Sequence, residues 1–354
     1  MTRGAAERFL RETETSSKYG RKPFVPRFDN VWLCTGTPFT TGLSQLKLGT
    51  ESIGWWHRLA GFDRKLSAKL FAGAVDLLRS VMIRHTKDQQ IHGAAALALP
   101  AMDARTVRID LPQAARAGYE QARATCAALV RCRRSVCKQL HLEMDLGLVR
   151  RACADALPVA TPAGVTKSWP RRPTPFIPAV PTTAKFDALR DDLRAVRARE
   201  PHAHCVVFTE HKQAHARIVA MLRSEGAAQW DVIALDGQTQ ITKRHAAIRD
   251  FQQFEKRPKV LVVTLRAGAV GITLTAATRL YLFEPCLDPS HEIIQAAGRV
   301  HRLGQLKDVH IVRFAYKQTI EDAICELHDK IRSNEIQIID GTYSTRALRL
   351  LLFK

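Results

Sequence analysis

The residues best suited to chemistry in this chain lie between Gln295 and Gln305. Gln295, Arg299 and Arg302 are separated by four and then three positions, which would place their side chains on one face of a helix. Guanidinium groups are permanently charged and match the oxygens of a phosphate, so this face predicts an anion-binding site. The alternative is a surface helix whose arginines pair with nearby carboxylates.

A second candidate segment runs from Thr264 to Thr275 and contains Gly268 and Gly271. It directly follows the apolar run Val260–Val263, which predicts a buried strand. Phosphates bind at strand-to-helix turns of this kind, at the carboxyl ends of the strands in α/β sheets. An ordinary turn is the alternative. Because one strand separates this segment from the arginines, we expect both to reach the same edge of the sheet.

The elements that must position these segments predict a parallel sheet with helices on both faces. Near-continuous apolar runs alternate with helical segments over residues 182–332, which is typical of an α/β domain. The predicted strands are Cys205–Phe208, Val232–Leu235, Val260–Val263, Leu280–Phe283 and Val309–Val312; the predicted helices are Ala184–Arg199, Lys212–Glu225, Lys243–Phe254 and Ser290–Arg302.

The rest of the chain divides by composition. Residues 1–50 contain one short apolar strand, and residues 51–157 form a mostly helical region with a strand near 107–111. Residues 158–181 hold seven prolines, which exclude regular structure and predict a linker. Residues 333–354 are a C-terminal tail.

The charge of the chain favours a polyanionic partner. The chain contains 54 Lys and Arg residues and 34 Asp and Glu residues, which gives a formal net charge of +20. The basic residues are spread along the whole chain, so nucleic acid is favoured over a membrane surface, although charge also serves solubility. Basic clusters such as Arg150 and Arg151 could guide duplex DNA or form solvated helix faces.

The cysteines and the N-terminal residues indicate a protein that stays inside the cell. The eight cysteines lack paired spacing, so we expect reduced thiols and no zinc site. The first 20 residues have no apolar core of signal-peptide length, and no stretch is long enough to span a bilayer.

Taken together, these stretches resemble the second motor lobe of superfamily-two helicases, specifically the Swi/Snf-type DNA-translocating ATPases. The likeness runs from about Thr183 to Ile324 and includes Val207–Thr209 and Leu235–Gly237. Glu284–Pro289 and Gly298–Arg302 look most like the SHPRH branch, whose members also carry a ubiquitin-ligase RING domain that this chain lacks. The resemblance implies a RecA-like sheet flanked by helices, preceded by a mostly helical region and a remnant of the first lobe.

The same resemblance implies roles for individual residues. Arg299 and Arg302 would be arginine fingers that reach the phosphates of ATP across the lobe interface, and Gln295 would line that cleft. The other implied roles are nucleotide binding for Gly268 and Gly271, nucleic-acid contact for Thr209, Gly237, Thr264 and Thr275, and a place at the lobe interface for Thr35, Gly36, Thr37, Arg84 and Lys87.

The phosphate-binding half of such an ATPase is missing from the sequence. The chain contains no Gly-Lys-Thr or Gly-Lys-Ser and no Asp-Glu dipeptide, so it lacks the phosphate loop and the magnesium-binding carboxylates. We therefore expect ATP and Mg²⁺ to bind only with a complete first lobe, from the full-length protein or another chain, and no hydrolysis by this chain alone. Without neighbouring strands, residues 1–50 would be poorly ordered.

By resemblance, the predicted function is that of the C-terminal portion of a DNA-dependent ATPase that drives DNA translocation or chromatin remodelling. The partners would be duplex DNA and chromatin proteins but no membrane, and the location would be the nucleus. The competing hypothesis is a non-catalytic nucleic-acid-binding or scaffold module derived from a helicase lobe.

Overall fold

The part of the chain that the computed structural model describes lies mainly between residues 89 and 333. It consists of residues 89–95, 97–132, 146–147, 149–154, 183–226, 229–253, 257–268, 272–287 and 296–333, together with Glu335 and Leu351. The predicted first-lobe remnant, the proline-rich linker and almost all of the C-terminal tail lie outside the described residues.

The chain divides into two compact units. One unit consists of residues 1–98 and 338–342, and its described part contains a short antiparallel hairpin of β1 (Gln90–Ile91) and β2 (Ala94–Ala95). The other unit consists of residues 99–337 and 343–354 and contains the large sheet with its helices. All the sites discussed below lie in this second unit.

Six strands form the large sheet, and every pairing between them is parallel. Their order across the sheet is β3, β8, β7, β4, β6, β5. The strands are β3 (Met102–Ile109), β4 (His204–Thr209), β5 (Asp231–Leu235), β6 (Lys259–Thr264), β7 (Arg279–Leu282) and β8 (Val309–Tyr316). Each of the five strands predicted in residues 182–332 overlaps one of these, and the predicted α/β fold is confirmed.

The helices of this unit connect successive strands or flank the sheet. They are α1 (Gln113–Cys132), α2 (Ala184–Arg199), α3 (Lys212–Ser224), α4 (Ile241–Gln252), α5 (Leu265–Gly268), α6 (Ala297–Val300) and α7 (Ile320–Arg332). Residues 149–153 are also helical. The helix predicted over Lys243–Phe254 begins and ends two residues earlier than predicted.

The apolar core lies on both faces of the sheet. One face packs against α2 and α3 through side chains such as Leu189, Ile218 and Val207. The opposite face packs against α4, α5 and α6 through side chains such as Phe251 and Val263. Parallel strands require helical cover on both faces, and this arrangement leaves the carboxyl ends of all strands at one edge.

The edge strand β3 comes from the region that the sequence predicts to be mostly helical. All eight of its residues pair with β8, from Met102 opposite Val309 to Ile109 opposite Tyr316. The alternation at 107–111 indicates a strand here, but it does not indicate the partner. The sheet therefore begins about 80 residues before the segment that supplies its other strands.

Glu284 joins the ends of two central strands at the carboxyl edge. Its Oε1 accepts hydrogen bonds from the hydroxyl of Thr209, at 2.7 Å, and from the backbone N–H of Glu210. Its Oε2 is buried and has no hydrogen-bond partner among the described residues. Burial raises the pKa of Glu284 to about 7, although the hydrogen bond from Thr209 opposes this shift. The loop after β7 is thus held against the end of β4 by a carboxyl group that is costly to ionise.

Arg150 reaches the same two loops from the helical residues 149–153. Its guanidinium group pairs with Glu210 and donates a hydrogen bond to the carbonyl of Pro285 at 3.2 Å. Its side chain is 12% exposed. Burial acts to lower the pKa of Arg150. The pKa is nevertheless raised overall, and the negative charge of Glu210 is the largest cause of the increase. Arg150 therefore holds this edge of the sheet together. It is not part of a solvated helix face, and its guanidinium group is engaged within the fold and not presented to duplex DNA.

A buried ion pair connects the first turns of α2 and α7. Lys185 is fully buried and pairs with Glu321, which is 2% exposed. The ammonium group of Lys185 lies 4.5 Å from the ring centroid of Tyr316, and Glu321 accepts the backbone N–H of Tyr316 at 2.9 Å. Burial raises the pKa of Glu321 against the effect of Lys185. Neither charge has access to water, so each depends on the other.

Removing one partner of this buried pair should destabilise the fold. We expect Lys185→Met to lower the free energy of unfolding by about 3–5 kcal/mol, because it leaves the carboxylate of Glu321 buried without a cation. The double variant Lys185→Met, Glu321→Leu should recover most of that loss, since an apolar pair needs no compensation. Urea denaturation of both variants measures these changes. A double variant as unstable as the single one would contradict this account.

Glu284 should make stability depend on pH. Its folded pKa of about 7 lies above the ordinary value of 4.5, so its stabilising contribution is complete below pH 4.5 and is lost as pH rises through 7. Relative to Glu284→Gln, which keeps the hydrogen-bonding shape without the charge, the wild type should lose roughly 3 kcal/mol across this window. Urea denaturation between these pH values tests the difference, and parallel pH profiles would refute it. Titration of other groups, such as His211, occurs in both proteins and cancels.

Candidate functional site

The two arginines predicted to bind an anion lie beside the loop that follows β6. Arg299 is in α6, and its carbonyl accepts a hydrogen bond from the backbone N–H of Leu274 at 2.9 Å. Arg302 donates a hydrogen bond from Nη1 to the hydroxyl of Thr273 at 3.0 Å. The structure thus brings together the two segments that the sequence singles out, the arginines and the residues after Thr264.

The prediction that Arg302 lies on a helix is wrong. The helix ends at Val300, and the backbone N–H of Arg302 bonds to the carbonyl of Val300 at 3.2 Å. Gly304 follows with φ +97°, a left-handed conformation that glycine adopts without strain. The buried side chain of Gln305 stabilises this turn by donating to the carbonyl of Ala277 at 2.9 Å. Arg302 therefore stands at a turn whose shape is set by the residues after it.

The two arginines lie close enough for their charges to repel each other. The pKa of Arg299 is lowered, first by burial and second by the positive charge of Arg302. Among the described residues, Arg302 makes no ion pair with a carboxylate, and its side chain bonds to the hydroxyl of Thr273. An anion placed between the two guanidinium groups would relieve their repulsion and offset the loss of water around Arg299.

The other predicted nucleotide-binding residues are only partly described. Gly268 is the last residue of α5, directly after β6. Gln295 and Gly271 lie outside the described residues, as do Thr35, Gly36, Thr37, Arg84 and Lys87, which were predicted to lie at a lobe interface. Their predicted roles stay predictions.

The predicted nucleic-acid residues fall into three places. Thr209 and Thr264 are register partners at the carboxyl ends of β4 and β6, and both are buried. The hydroxyl of Thr209 is already bonded to Glu284. Thr275 precedes β7 and accepts a hydrogen bond from Gln252 at 3.2 Å, so it lies towards the amino ends of the strands. Gly237 lies in the loop after β5.

The loop that contains Gly237 is shaped by its neighbours. The carboxylate of Asp236 accepts the backbone N–H groups of Gln238 and Thr239, each at 2.9 Å. The pKa of Asp236 is lowered, mainly by its hydrogen bond from the hydroxyl of Thr239. Arg244 donates to the carbonyl of Asp236 at 3.3 Å from the first turn of α4. This turn presents a fixed backbone at the carboxyl edge.

Sequence reasoning missed Asp236, Arg244 and Glu284 as residues that position this edge. Asp236 had a recognisable signal, because aspartate followed two or three residues later by backbone donors is typical of a turn capped by its own side chain. Glu284 and Arg244 had no such signal. The partner of Glu284, Thr209, is 75 residues away in the sequence, and Arg244 bonds to a backbone carbonyl, which any residue could supply.

No cluster of side chains suited to metal binding occurs within the described residues. In the same part of the chain, no helix combines the length and the apolar composition that a bilayer crossing requires.

Comparison with known families identifies part of this unit. Residues 184–304 match the helicase conserved C-terminal domain family. This stretch begins with α2 and ends in the turn after Arg302, so it contains the arginine pair, the loop after β6 and four strands of the sheet.

The curated relatives match less than half of this chain. The chain is 35% identical over 149 residues to a putative SWI/SNF-related matrix-associated actin-dependent regulator of chromatin, subfamily A member 3-like 1, from Arabidopsis thaliana; the match covers 42% of this chain and 16% of the relative. It is 31% identical over 166 residues to the DNA repair protein RAD5 of Cryptococcus neoformans, covering 47% of this chain and 13% of the relative. The matched segment is thus a small part of each relative.

Solved structures share the fold. The C-terminal domain of the Sulfolobus solfataricus SWI2/SNF2 ATPase superposes with a TM-score of 0.50 at 17% identity, covering 71% of this chain and 98% of that domain. The core of the same ATPase in complex with double-stranded DNA also gives 0.50, at 19% identity, covering 90% of this chain and 66% of that one. The more specific likeness to the SHPRH branch stays a prediction. Residues 184–304 of this chain thus match the helicase conserved C-terminal domain, and the unit around them shares its fold with the C-terminal domain of the SWI2/SNF2 ATPase.

Proposed function

We propose that this chain supplies arginine fingers and DNA-backbone contacts to a DNA-dependent ATPase that translocates along duplex DNA in the nucleus. The observation on which the proposal depends is the arginine pair: Arg299 has a lowered pKa beside Arg302, and Arg302 is oriented by the hydroxyl of Thr273. Phosphoryl-transfer enzymes use such arginines to stabilise charge that develops on the transferred phosphate.

The arrangement around the pair suits catalysis because it is fixed before an anion arrives. The backbone of Arg299 is bonded to Leu274, and Thr273 holds Arg302 at 3.0 Å. Preorganised charges avoid the cost of reorientation when negative charge develops. The phosphate loop and the magnesium-binding carboxylates would come from a first lobe, because the sequence has neither Gly-Lys-Thr, Gly-Lys-Ser nor Asp-Glu.

DNA binding is supported by charge and by similarity. The formal net charge of +20 favours a polyanion. One solved relative, the Sulfolobus ATPase core, is in complex with double-stranded DNA, and a curated relative is a DNA repair protein. In this chain, the backbone of residues 236–239 and the carboxyl ends of β4 and β6 are the proposed contact surface. A role in chromatin regulation or DNA repair is part of the same proposal.

Arg302 should be required for hydrolysis but not for DNA binding. In a protein that joins this chain to the first lobe of a Swi/Snf-type relative, we expect Arg302→Ala to lower DNA-stimulated kcat at least about a thousandfold, because an arginine finger acts on the transition state. Thr273→Val should cause a smaller loss, since it removes only the hydrogen bond that orients Arg302. ATPase assays and DNA-binding anisotropy give the two readouts.

The matched control for Arg302→Ala is Arg249→Ala, which removes the same charge from an exposed position on α4. It should leave kcat within about twofold. An Arg302→Ala protein that retains its ATPase activity would overturn the finger assignment. If no variant shows DNA-stimulated hydrolysis but all bind DNA, the competing hypothesis of a non-catalytic binding module would be favoured.

The loop after β5 gives a test of DNA binding that depends on whether a substitution weakens or strengthens the affinity for duplex DNA. Removal of a carboxylate ordinarily strengthens binding to a polyanion, but Asp236 fixes the loop through Gln238 and Thr239. We therefore expect Asp236→Ala to weaken duplex binding severalfold and to lower the slope of log K against log salt by about one, as for one lost phosphate contact.

Asp231→Ala is the control for Asp236→Ala, because Asp231 begins the same strand at the opposite edge. This variant should bind duplex DNA as tightly as the wild type or more tightly. Fluorescence anisotropy over a range of salt concentrations measures both variants. Stronger binding by Asp236→Ala would exclude this loop from the DNA contact surface.

A further inference from the structure

Basic side chains occupy inward-facing positions at the amino-terminal edge of the sheet. Residues two apart on a strand share a face, and Tyr281 of β7 and Val312 of β8 both face the core under α2 and α3. Two residues before them stand Arg279 and His310, which are register partners. Positions that alternation would assign to apolar residues are thus occupied by an arginine and a histidine on two neighbouring strands.

The third neighbouring strand continues this pattern. On β3, Arg105 precedes Val107 by two residues, and Val107 packs against the same core. Arg105 is the register partner of Val312. Three adjacent strands therefore direct Arg105, His310 and Arg279 to the same face at the same end of the sheet, below the last turn of α2.

These side chains line a cavity of about 310 Å³. Pockets that bind small molecules occupy about 300–1,000 Å³, so this volume suits a small ligand. Val196, which is 2% exposed, supplies an apolar wall, and the end of α2 supplies the rest of the rim. The full lining is Arg105, Val196, Arg199, Glu200, Arg279 and His310.

Two of the lining groups already have carboxylate partners. Arg105 pairs with Asp192 at 2.5 Å, and Nδ1 of His310 contacts Asp103. Asp192 also accepts a hydrogen bond from the hydroxyl of Tyr281 at 2.7 Å. These partners hold Arg105 and His310 in the lining of the cavity, and Asp192 offsets the charge of Arg105.

Arg199 and Arg279 have no such partner in the described part of the chain. Arg199 donates a hydrogen bond to the carbonyl of Ala195 at 3.1 Å, and neither arginine forms an ion pair with a carboxylate there. Glu200 shares the lining but is not paired with either of them. The half-buried Arg279 thus starts a central strand with a guanidinium group that faces the cavity without an ion-pair partner in the described part of the chain, and an anion in the cavity could accept hydrogen bonds from it.

We propose that this cavity binds a phosphate group between the guanidinium groups of Arg199 and Arg279, with Arg105 as a third cation. Guanidinium forks match phosphate oxygens, and a phosphate has enough oxygens to be shared by more than one fork. The phosphate could belong to a nucleic-acid backbone or to a free phosphate compound. The site is separate from Arg299 and Arg302, since α6 packs on the opposite face of the sheet, and it does not rest on the proposed function.

The test is titration of the purified chain with pyrophosphate and, separately, with a short DNA duplex. We expect pyrophosphate to bind the wild type and to raise its Tm, because a ligand of the folded state stabilises it. Arg279→Gln should weaken this binding at least about tenfold, equivalent to about 1.4 kcal/mol, and should abolish the rise in Tm. Arg279→Lys, which keeps the charge without the fork, should lose less.

Arg249→Gln is the matched control, because it removes the same charge from α4 on the other face of the sheet. It should change pyrophosphate affinity by no more than about twofold. Loss of pyrophosphate binding alone in Arg279→Gln would identify a free phosphate compound as the ligand, and loss of duplex affinity alone would identify a nucleic-acid backbone. The proposal is wrong if Arg279→Gln and Arg249→Gln behave alike, or if the wild type does not respond to either probe.

Discussion

Charge buried at the carboxyl edge of the sheet determines how the loops and helices there are arranged. A carboxylate or an ammonium group without water is stable only beside an opposite charge or hydrogen-bond donors. Glu284 is placed by Thr209, Arg150 by Glu210, and the buried Lys185 by Glu321. The end of β4, the loop after β7, residues 149–153 and the first turns of α2 and α7 are therefore held in one arrangement.

The arginine pair follows the opposite principle. Arg299 and Arg302 place like charges near each other, and within the described residues the guanidinium group of Arg302 bonds to a hydroxyl group and not to a carboxylate. An arginine held in this way, as Arg302 is, keeps its attraction for an anion, whereas an arginine neutralised by an aspartate or glutamate does not. The contrast between Arg150 and Arg302 illustrates the difference: both are ordered, but only Arg150 is offset by a carboxylate among the described residues.

The sequence is sufficient to predict the strands of the sheet but not the contacts at its ends. Val260–Val263 lies within an observed strand because a run of apolar residues buried on both faces has few alternatives. The end of α6 at Val300 depends on the turn at Gly304 and on contacts of Gln305, which helical periodicity does not report. The sequence does not show that Glu284 connects the loop after β7 to the end of β4, because its partner Thr209 is 75 residues away in the sequence.

Because of β3, the folded sheet begins earlier in the chain than the segment that matches the helicase family. The matched family segment starts at residue 184, but the sheet already contains Met102–Ile109, hydrogen-bonded along β8. A polypeptide cut at residue 184 would leave the outer side of β8 with a row of unpaired backbone donors and acceptors. Such an open edge can recruit a strand from another molecule. The remote segment therefore completes the hydrogen bonds of β8 and makes β3 the outer strand of the sheet.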